Sequence, residues 1–432
     1  MRNWAGNLTY QATTVHEPTS IDELQATVAD VARNGGRIRA IGTRHSFNAV
    51  ADTDGDLVSL ARLPRRFDLD PEAQTVTVDA AARFGDLVGP LDETGFAFHT
   101  MASLPHISVA GAVATATHGS GVTRPNLSAA VVGLELVTGD GELRRLDRRE
   151  DPDTVDGAVV ALGALGIVTA VTLAVEPAYA MRQDVYQDLP VAAFHERFDE
   201  IAGMAESVSF FTGWRGSTID QVWVKSRVEP RAGASLELPD EVHGAVRSTV
   251  ERHPIRGLDP VAATPQLGAV GRWYERLPHF RLDHTPSSGD ELQAELFVDR
   301  RHAADAFLAL DRMRNDLAPL VQVSEIRTIA ADGLWLSPAY KRDSVAFHFT
   351  WTADADAVAP MLRRVEAALD PFEPRPHWGK LSSIPAEVVR GRYERSADFA
   401  SLTERLDPAG VFRNEFVARV IYGADGSPAP TA

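Results

Sequence analysis

The sequence predicts an α+β fold in two domains, the second built on an antiparallel sheet covered by helices on one face. Three observations support this. The chain has 432 residues, 44% of them hydrophobic, which is enough for more than one core. Up to about residue 177, helix and strand signals alternate. Beyond it, alternating strands are separated by amphipathic helices. We place the boundaries at 1–177 and 178–370, with 371–432 returning to the first domain.

The elements of the first domain are predicted from capping, periodicity and turn signals. Ser20 and Glu23 form a capping-box pattern ahead of an apolar helical stripe that stops at Gly35-Gly36. Gly139 and Gly141 flank Asp140 in a hairpin signal. The predicted strands are 37–41, 75–78, 131–137 and 142–146, and a second helix is predicted over about 84–94.

The second domain is predicted mainly from strand alternation. Aromatic-rich strands at 209–214 and 221–225 are expected to pair, and 229–268 is expected to be an irregular excursion. The remaining predicted elements are strands at 293–298, 321–329 and 344–352, an amphipathic helix over 303–317 and a helix over 358–369.

Composition excludes several classes of function. The net charge of −17 is spread along the chain, which argues against nucleic acid and anionic membranes as partners. The absence of cysteine excludes disulfides, thiolate metal sites and a catalytic thiol, and no metal site is predicted. The uncharged stretch 157–175 is long enough to cross a bilayer, but its glycines and β-branched residues favour a buried strand. We expect a soluble, cytoplasmic monomer.

Two polar segments of the first domain are candidates for binding a ligand. The loop at 42–48 follows a strand, and its His45 could be a ligand, a base, a covalent attachment point or merely a hydrogen-bonded surface histidine. The segment 102–121 contains many glycines and hydroxyls but no Asp, Glu, Lys or Arg. Such a segment suits wrapping a large ligand with backbone and hydroxyl donors. The Gly-x-Gly-x-x-Gly fingerprint of nicotinamide binding is absent.

Together with 163–169, these segments resemble the vanillyl-alcohol-oxidase-type flavoproteins, and within them the bacterial alditol (xylitol) oxidases most. The resemblance runs from 3–7 to 407–412. It implies a PCMH-type FAD-binding domain, a separate substrate domain, and FAD attached covalently through its 8α-methyl group to His45. Many relatives have glycine where this chain has Arg44. The cofactor-binding residues that it implies are Ile41, Gly42, Thr43, Arg44, His45, Ser46, Phe47, Ser103, Ser108, Gly111, Ala112, Val113, Ala114, His118, Gly121 and Ile167.

Two predicted strands carry polar pairs. Alternation places Glu325 and Arg327 on one face of 321–329, and His348 and Thr350 on one face of 344–352. Each pair alone is compatible with an ion pair on a wet sheet or a half-buried histidine. Together they suit a polyol, whose hydroxyls both donate and accept hydrogen bonds. Lys380 is the last residue of a predicted turn at 375–380. Composition alone is equally compatible with a binding-site turn and with a basic surface turn, and the resemblance places this lysine at the flavin.

The resemblance implies oxidation of the terminal primary alcohol of alditols such as xylitol and sorbitol, with O2 reduced to H2O2. The alternative is an aldonolactone oxidase or dehydrogenase; a non-catalytic flavin-binding protein is a further rival. The catalytic residues so implied are Arg327, Lys380 and His348. The substrate-binding residues are Ser103, Glu325, Arg327, Thr350 and Lys380. On chemistry alone, His348 is the natural base, and the choice of base stays open.

Overall fold

The computed structural model describes residues 1–228, 238–284 and 290–423. Residues 229–237 of the predicted irregular excursion, and 424–432 of the predicted C-terminal segment, therefore lie outside the described residues. Among the described ranges, no helix combines the length and the hydropathy that crossing a membrane requires. The apolar stretch at 157–175 instead forms the end of one helix and a buried strand.

The first domain combines small sheets with four helices. Its strands are β1 (Val15–His16), β2 (Ile38–Ile41), β3 (Asp56–Ser59), β4 (Phe67–Asp70), β5 (Thr75–Asp79), β6 (Phe96–Ala97), β7 (Val131–Val137), β8 (Leu143–Asp147), β9 (Ile167–Ala174) and β10 (Glu176–Pro177). Its helices are α1 (Ile21–Arg33), α2 (Phe84–Glu93), α3 (Val109–Ala114) and α4 (Pro152–Val159). Strands β1, β3 and β2 form a parallel sheet, and β4-β5-β9-β7-β8 an antiparallel one.

Helix α1 shows how local chemistry sets the boundaries. The Ser20 hydroxyl accepts a hydrogen bond from the Glu23 N–H, as the capping pattern predicts. The Glu23 carboxylate accepts from the Thr19 N–H at 2.7 Å, so the second half of the box is displaced by one residue. The helix ends before Gly35, which has a φ of +67°.

The second domain is built on one ten-stranded sheet. Its strands are β11 (Ala180–Pro190), β12 (Ser207–Thr212), β13 (Thr218–Val228), β14 (Glu241–Val242), β15 (Ala245–Arg247), β16 (Gly271–Arg272), β17 (Glu291–Asp299), β18 (Val321–Ile329), β19 (Ser344–Thr352) and β20 (Arg375–Pro376). The order is β14-β15-β11-β13-β12-β18-β19-β17-β20, with β16 also paired to β11. The described pairs are antiparallel.

Helices cover one face of this sheet, as predicted. They are α5 (Val191–Ala202), α6 (Ala303–Asp311), α7 (Arg314–Leu317) and α8 (Ala355–Leu369). Phe194, Phe307 and Val365 on these helices share a core with Phe347 and Phe349 on β19. Because side chains alternate along a strand, the polar side chains of the central strands lie on the face of the sheet that the helices do not cover.

The single helix predicted over 303–317 is wrong, because the structure has α6 and α7 there. The guanidinium of Arg314 turns back onto Asp311 and bonds both its carboxylate and its backbone carbonyl. The break itself lies at Met313, whose φ of −108° and ψ of 17° depart from helical values.

The C-terminal segment contributes α9 (Ala386–Gly391), α10 (Ser396–Leu406) and α11 (Glu415–Val417). Their buried side chains, including Phe399 and Val417, pack in one core with first-domain residues such as Val88. Arg39 on β2 donates to the carbonyl of Phe412 at 2.9 Å. The boundaries 1–177, 178–370 and 371–432 stay a prediction.

Candidate active site

A cavity of about 550 Å³ lies between the first-domain loops and the open face of the ten-stranded sheet. One end is lined by the loop after β2, the other by polar side chains of β17, β18 and β19. The predicted residues that line it are Ile41, Gly42, Thr43, Arg44, His45, Ser46, Phe47, Ser103, Ser108, Gly111, Ala112, Ala114, His118, Glu325, Arg327, His348, Thr350 and Lys380.

Three predicted cofactor-binding residues do not belong to this lining. Val113 and Ile167 have their side chains in hydrophobic cores. Gly121 forms an isolated bridge with Ile329, and a Cβ added to it would approach the Glu206 carbonyl at 2.5 Å. Packing against protein is what the structure shows at these three positions, and their part in cofactor binding stays a prediction.

The loop at residues 42–48, called the attachment loop after the role that the resemblance implies for His45, is held mainly by hydrogen bonds from asparagine side chains to backbone carbonyls. Asn3 and Asn7 each donate at 2.9 Å to the carbonyl of a loop residue, Ser46 and Phe47 respectively. On the other side, the Asn48 amide donates to the carbonyls of Trp378 at 2.9 Å and Lys380 at 2.8 Å. These contacts fix the loop without a charged partner.

His45 is presented by this loop in an apolar setting. Its ring stacks on Trp4 with the centroids 5.2 Å apart. Burial lowers the pKa of His45 to about 4, so the imidazole is neutral near pH 7. Its Nδ1 is buried and has no hydrogen-bond partner among the described residues. A neutral histidine with a buried, uncommitted nitrogen is suited to bonding a ligand carbon.

Arg44, where many relatives of the resembled family have glycine, lies in the left-handed region with a φ of +63°. Its carbonyl accepts from the Trp4 N–H at 2.9 Å, and its guanidinium donates to the Arg2 carbonyl at 3.1 Å. These contacts with the N-terminal segment stabilise a backbone conformation that glycine would adopt at less cost.

Glycine is required where the attachment loop meets the hydroxyl-rich segment. A Cβ at Gly42 would collide with the Ser108 hydroxyl, and one at Gly111 would lie 2.9 Å from the same oxygen. The absence of side chains at these two positions lets both backbone segments approach Ser108, which lines the cavity.

The opposite end of the cavity is charged. Glu295 on β17 is 1% exposed, and its carboxylate lies 2.6 Å from the Arg327 guanidinium and 3.3 Å from Lys380 Nζ. Burial alone would raise the pKa of Glu295, but Lys380 and Arg327 hold it well below its ordinary value. We refer to Glu295, Glu325, Arg327, His348 and Lys380 as the charged face.

His348 and Lys380 are in direct contact. Lys380 Nζ lies 2.8 Å from His348 Nδ1 and donates to Gln293 Oε1 at 2.9 Å, while His348 Nε2 lies 3.2 Å from the Thr350 hydroxyl. Burial and then Lys380 lower the pKa of His348 to about 4. Burial also lowers the pKa of Lys380, against the opposing effect of Glu295. The pair therefore supplies a neutral imidazole beside a cation.

Glu325 pairs across the strands with His348 in the β18–β19 register. Its Oε1 lies 2.6 Å from His279 Nε2 and 3.5 Å from the Arg327 guanidinium. Arg327 also reaches the Ser103 hydroxyl at 3.3 Å, which connects the charged face to the first domain.

Sequence reasoning missed Glu295, Gln293 and His279, whose side chains contact the predicted residues Arg327, Lys380 and Glu325 respectively. Glu295 and Gln293 alternate on β17 as Glu325 and Arg327 do on β18, so the same alternation would have found them. His279 lies outside the regular elements, and no sequence signal links it to Glu325.

Comparisons with known proteins agree with this geometry. Residues 12–147 match a family model described as an FAD binding domain, so the chain has an FAD-binding domain. Residues 291–420 match a family model described as D-arabinono-1,4-lactone oxidase. The crystal structure of cholesterol oxidase from B. sterolicum has a TM-score of 0.75 at 15% identity, covers 97% of this chain and 96% of that one, and shows the fold.

Two relatives align over nearly their full lengths. An alditol oxidase of Streptomyces sp. (strain IKD472) is 47% identical over 424 residues, which are 98% of this chain and 99% of the relative. An L-gulono-1,4-lactone dehydrogenase of Mycobacterium tuberculosis is 30% identical over 436 residues, 97% of this chain and 98% of the relative.

Proposed function

The chain belongs to the alditol oxidase family of vanillyl-alcohol-oxidase-type flavoproteins, and on that premise we propose that it oxidises the terminal primary alcohol of alditols such as xylitol and sorbitol. The alcohol loses two electrons and two protons to become the aldose, and O2 takes up both to become hydrogen peroxide.

The observation that carries this proposal is the charged face, because it offers acceptors and donors together inside the cavity that contains His45. Glu325 accepts hydrogen bonds from hydroxyl groups, whereas Arg327 and Lys380 donate to them. A site with both kinds of partner, rigidly held, selects a polyol over a molecule without hydroxyls.

The cofactor end of the cavity fits FAD. His45 has a buried Nδ1 without a partner among the described residues, and Gly42 and Gly111 bring backbone close to Ser108 on the cavity wall. We propose His45 as the covalent attachment point, through the flavin 8α carbon. Bound FAD would supply the acceptor for the hydride of the carbinol carbon and the route by which electrons reach O2.

The residues of the charged face divide the remaining tasks. Lys380 and Arg327 stabilise negative charge that develops on the substrate oxygen. His348 is neutral at pH 7, and its Nδ1 becomes the candidate base when the substrate oxygen replaces it as the acceptor of the Lys380 hydrogen bond. Glu325, Thr350 and Ser103 bind hydroxyls. Glu295 offsets the two cations that converge on it.

The second candidate is an aldonolactone oxidase or dehydrogenase. It is favoured by the family model that matches 291–420 and by the mycobacterial relative. A lactone offers its ring carbonyl and fewer hydroxyls than an open-chain alditol, so an acceptor such as Glu325 would have less to bind.

Anaerobic mixing of the FAD-loaded protein with xylitol, sorbitol and L-gulono-1,4-lactone tests the proposal. We expect the yellow flavin absorbance to bleach with the alditols, and readmission of O2 to release one H2O2 per flavin. Bleaching by the lactone alone would favour the second candidate, and no bleaching by any of the three would indicate a non-catalytic flavin-binding protein. The cytoplasmic location and the monomeric state stay predictions.

A further inference from the structure

The use of lysine in this chain is unusual. Lysine and arginine total 43 residues, and only Lys225, Lys341 and Lys380 are lysines. Lys341 is exposed, with 63% of its side chain accessible, and pairs with Glu394. Lys380 belongs to the charged face. Lys225 on β13 is completely buried and does not belong to the cavity lining. Where a chain uses arginine so widely, a buried lysine marks a place that needs a compact cation with three donors.

Lys225 Nζ has three neighbours that accept hydrogen bonds. The Leu277 carbonyl lies at 2.7 Å, the Pro278 carbonyl at 2.9 Å and His279 Nδ1 at 3.0 Å. Three acceptors match the three N–H bonds of an ammonium group. Burial lowers the pKa of Lys225 well below its ordinary value, and the nearby Glu325 carboxylate acts in the opposite direction.

The position of the proton on His279 follows from these contacts. Burial lowers the pKa of His279 to about 4, so the ring is neutral at pH 7 and carries a single N–H. With Lys225 donating to Nδ1, that hydrogen is on Nε2 and is donated to Glu325 Oε1 at 2.6 Å. If Lys225 were neutral and accepted a hydrogen from Nδ1, the Nε2 lone pair would face the Glu325 oxygen at this short distance and repel it.

We infer that Lys225 is a positioning residue for alcohol oxidation, which acts through His279 to keep Glu325 ionised and oriented towards a substrate hydroxyl. This inference rests on the proposed function, because Glu325 is the group that would bind the alditol. Lys225 does not belong to the cavity lining and acts through His279, which lines the cavity beside Glu325 and supplies the hydrogen bond that fixes that carboxylate.

The experiment compares flavin reduction by xylitol in single and double variants of the FAD-loaded protein. Lys225→Met removes the ammonium but keeps the length of the side chain, and Lys341→Met is the matched surface control. We expect Lys225→Met to slow reduction by about tenfold or more, as for the loss of one hydrogen bond to a charged group. FAD content should remain normal, and Lys341→Met should match the wild type.

A double-mutant cycle separates a relay from a merely structural role. If Lys225 acts through Glu325, then adding Lys225→Met to Glu325→Gln should cause little further loss. Equal fold-losses from Lys225→Met in both backgrounds would overturn the inference.

A second pair of variants covers the case in which Lys225→Met does not fold. His279→Gln retains an acceptor for Lys225 and a donor for Glu325 on one planar amide, whereas His279→Leu retains neither. We expect glutamine to restore most of the rate that leucine loses, and equal rates in the two variants would count against the relay. Failure of the wild-type protein to be bleached by xylitol would refute the proposed function instead, so the two failures are distinguishable.

Discussion

The two ends of the cavity are built in different ways. The attachment loop is held by neutral amide groups of Asn3, Asn7 and Asn48 that bond its backbone or the neighbouring turn. The charged face is held together by buried ion pairs, and the Glu295 carboxylate contacts both Arg327 and Lys380. Removing a neutral hydrogen bond costs about 1 kcal/mol, whereas removing one partner of a buried ion pair costs about 3–5 kcal/mol.

This difference predicts how each end responds to substitution. A substitution in the attachment loop should abolish the proposed flavin attachment while the protein remains folded. A substitution in the charged face should slow flavin reduction and shift the pKa values of the charged groups that remain. Four measurements test this contrast, and the effects that we expect become smaller from the first to the last.

The largest expected effect is complete loss of covalent flavin in His45→Ala, because no other residue of the loop can form the bond. Acid precipitation followed by flavin fluorescence of the pellet measures it, and His16→Ala, a half-buried histidine paired with Asp56, is the control. Covalent flavin in the His45→Ala pellet would contradict the attachment role. The midpoint of thermal unfolding should change little, because the protein remains folded.

Lys380→Met should slow flavin reduction by xylitol by about a thousandfold while FAD stays bound, since it removes a cation from the developing charge. Stopped-flow absorbance under anaerobic conditions measures this rate, and Lys341→Met is again the control. A rate within a few-fold of the wild type would remove Lys380 from the catalytic set and weaken the contrast between the two ends.

The positions of these residues show how far the sequence predicts such a site. Strand alternation is sufficient to place Glu325 with Arg327, and His348 with Thr350, on one face of their strands. It succeeds because β18 and β19 have the bounds that their patterns predict. Which strands become neighbours depends on the tertiary fold, so the approach of β17 and its Glu295 to Arg327 was not predicted. His279 is 46 residues from Glu325 in sequence, and the tertiary fold brings the two side chains together.

The rate of flavin reduction is expected to be constant over a broad range of pH and to fall by about tenfold per pH unit outside that range. On the acid side, burial sets the pKa of His348 at about 4, so the neutral base persists as pH falls and is lost only near pH 4. On the alkaline side, the ammonium of Lys380 is present below its pKa, and burial lowers that pKa, so the rate falls at a lower pH than for an ordinary lysine.

Lys380→Arg checks the alkaline assignment, because a guanidinium keeps its charge throughout this range. The variant should have a lower rate than the wild type but no alkaline decline. An unchanged alkaline decline in Lys380→Arg would assign it to a different group.

Asn48→Ala should have the smallest effect. It removes two hydrogen bonds, to the carbonyls of Trp378 and Lys380, and the acceptor of the Val50 N–H, so we expect the free energy of unfolding to fall by about 1–3 kcal/mol. Chemical denaturation measures this change, with the exposed Asn34→Ala as control. A loss above about 4 kcal/mol would show that the loop is as sensitive as the charged face.

The bonds from Asn48 to the turn at 378–380 also have a consequence for biosynthesis. The N-terminal half of a chain leaves the ribosome and begins to fold first. The attachment loop, however, takes part of its support from residues more than three hundred positions further along, and Arg39 before it bonds the carbonyl of Phe412. A nascent chain that ends before these residues lacks the contacts that shape the loop. The proposed attachment of FAD at His45 would therefore follow the synthesis of the chain up to Phe412.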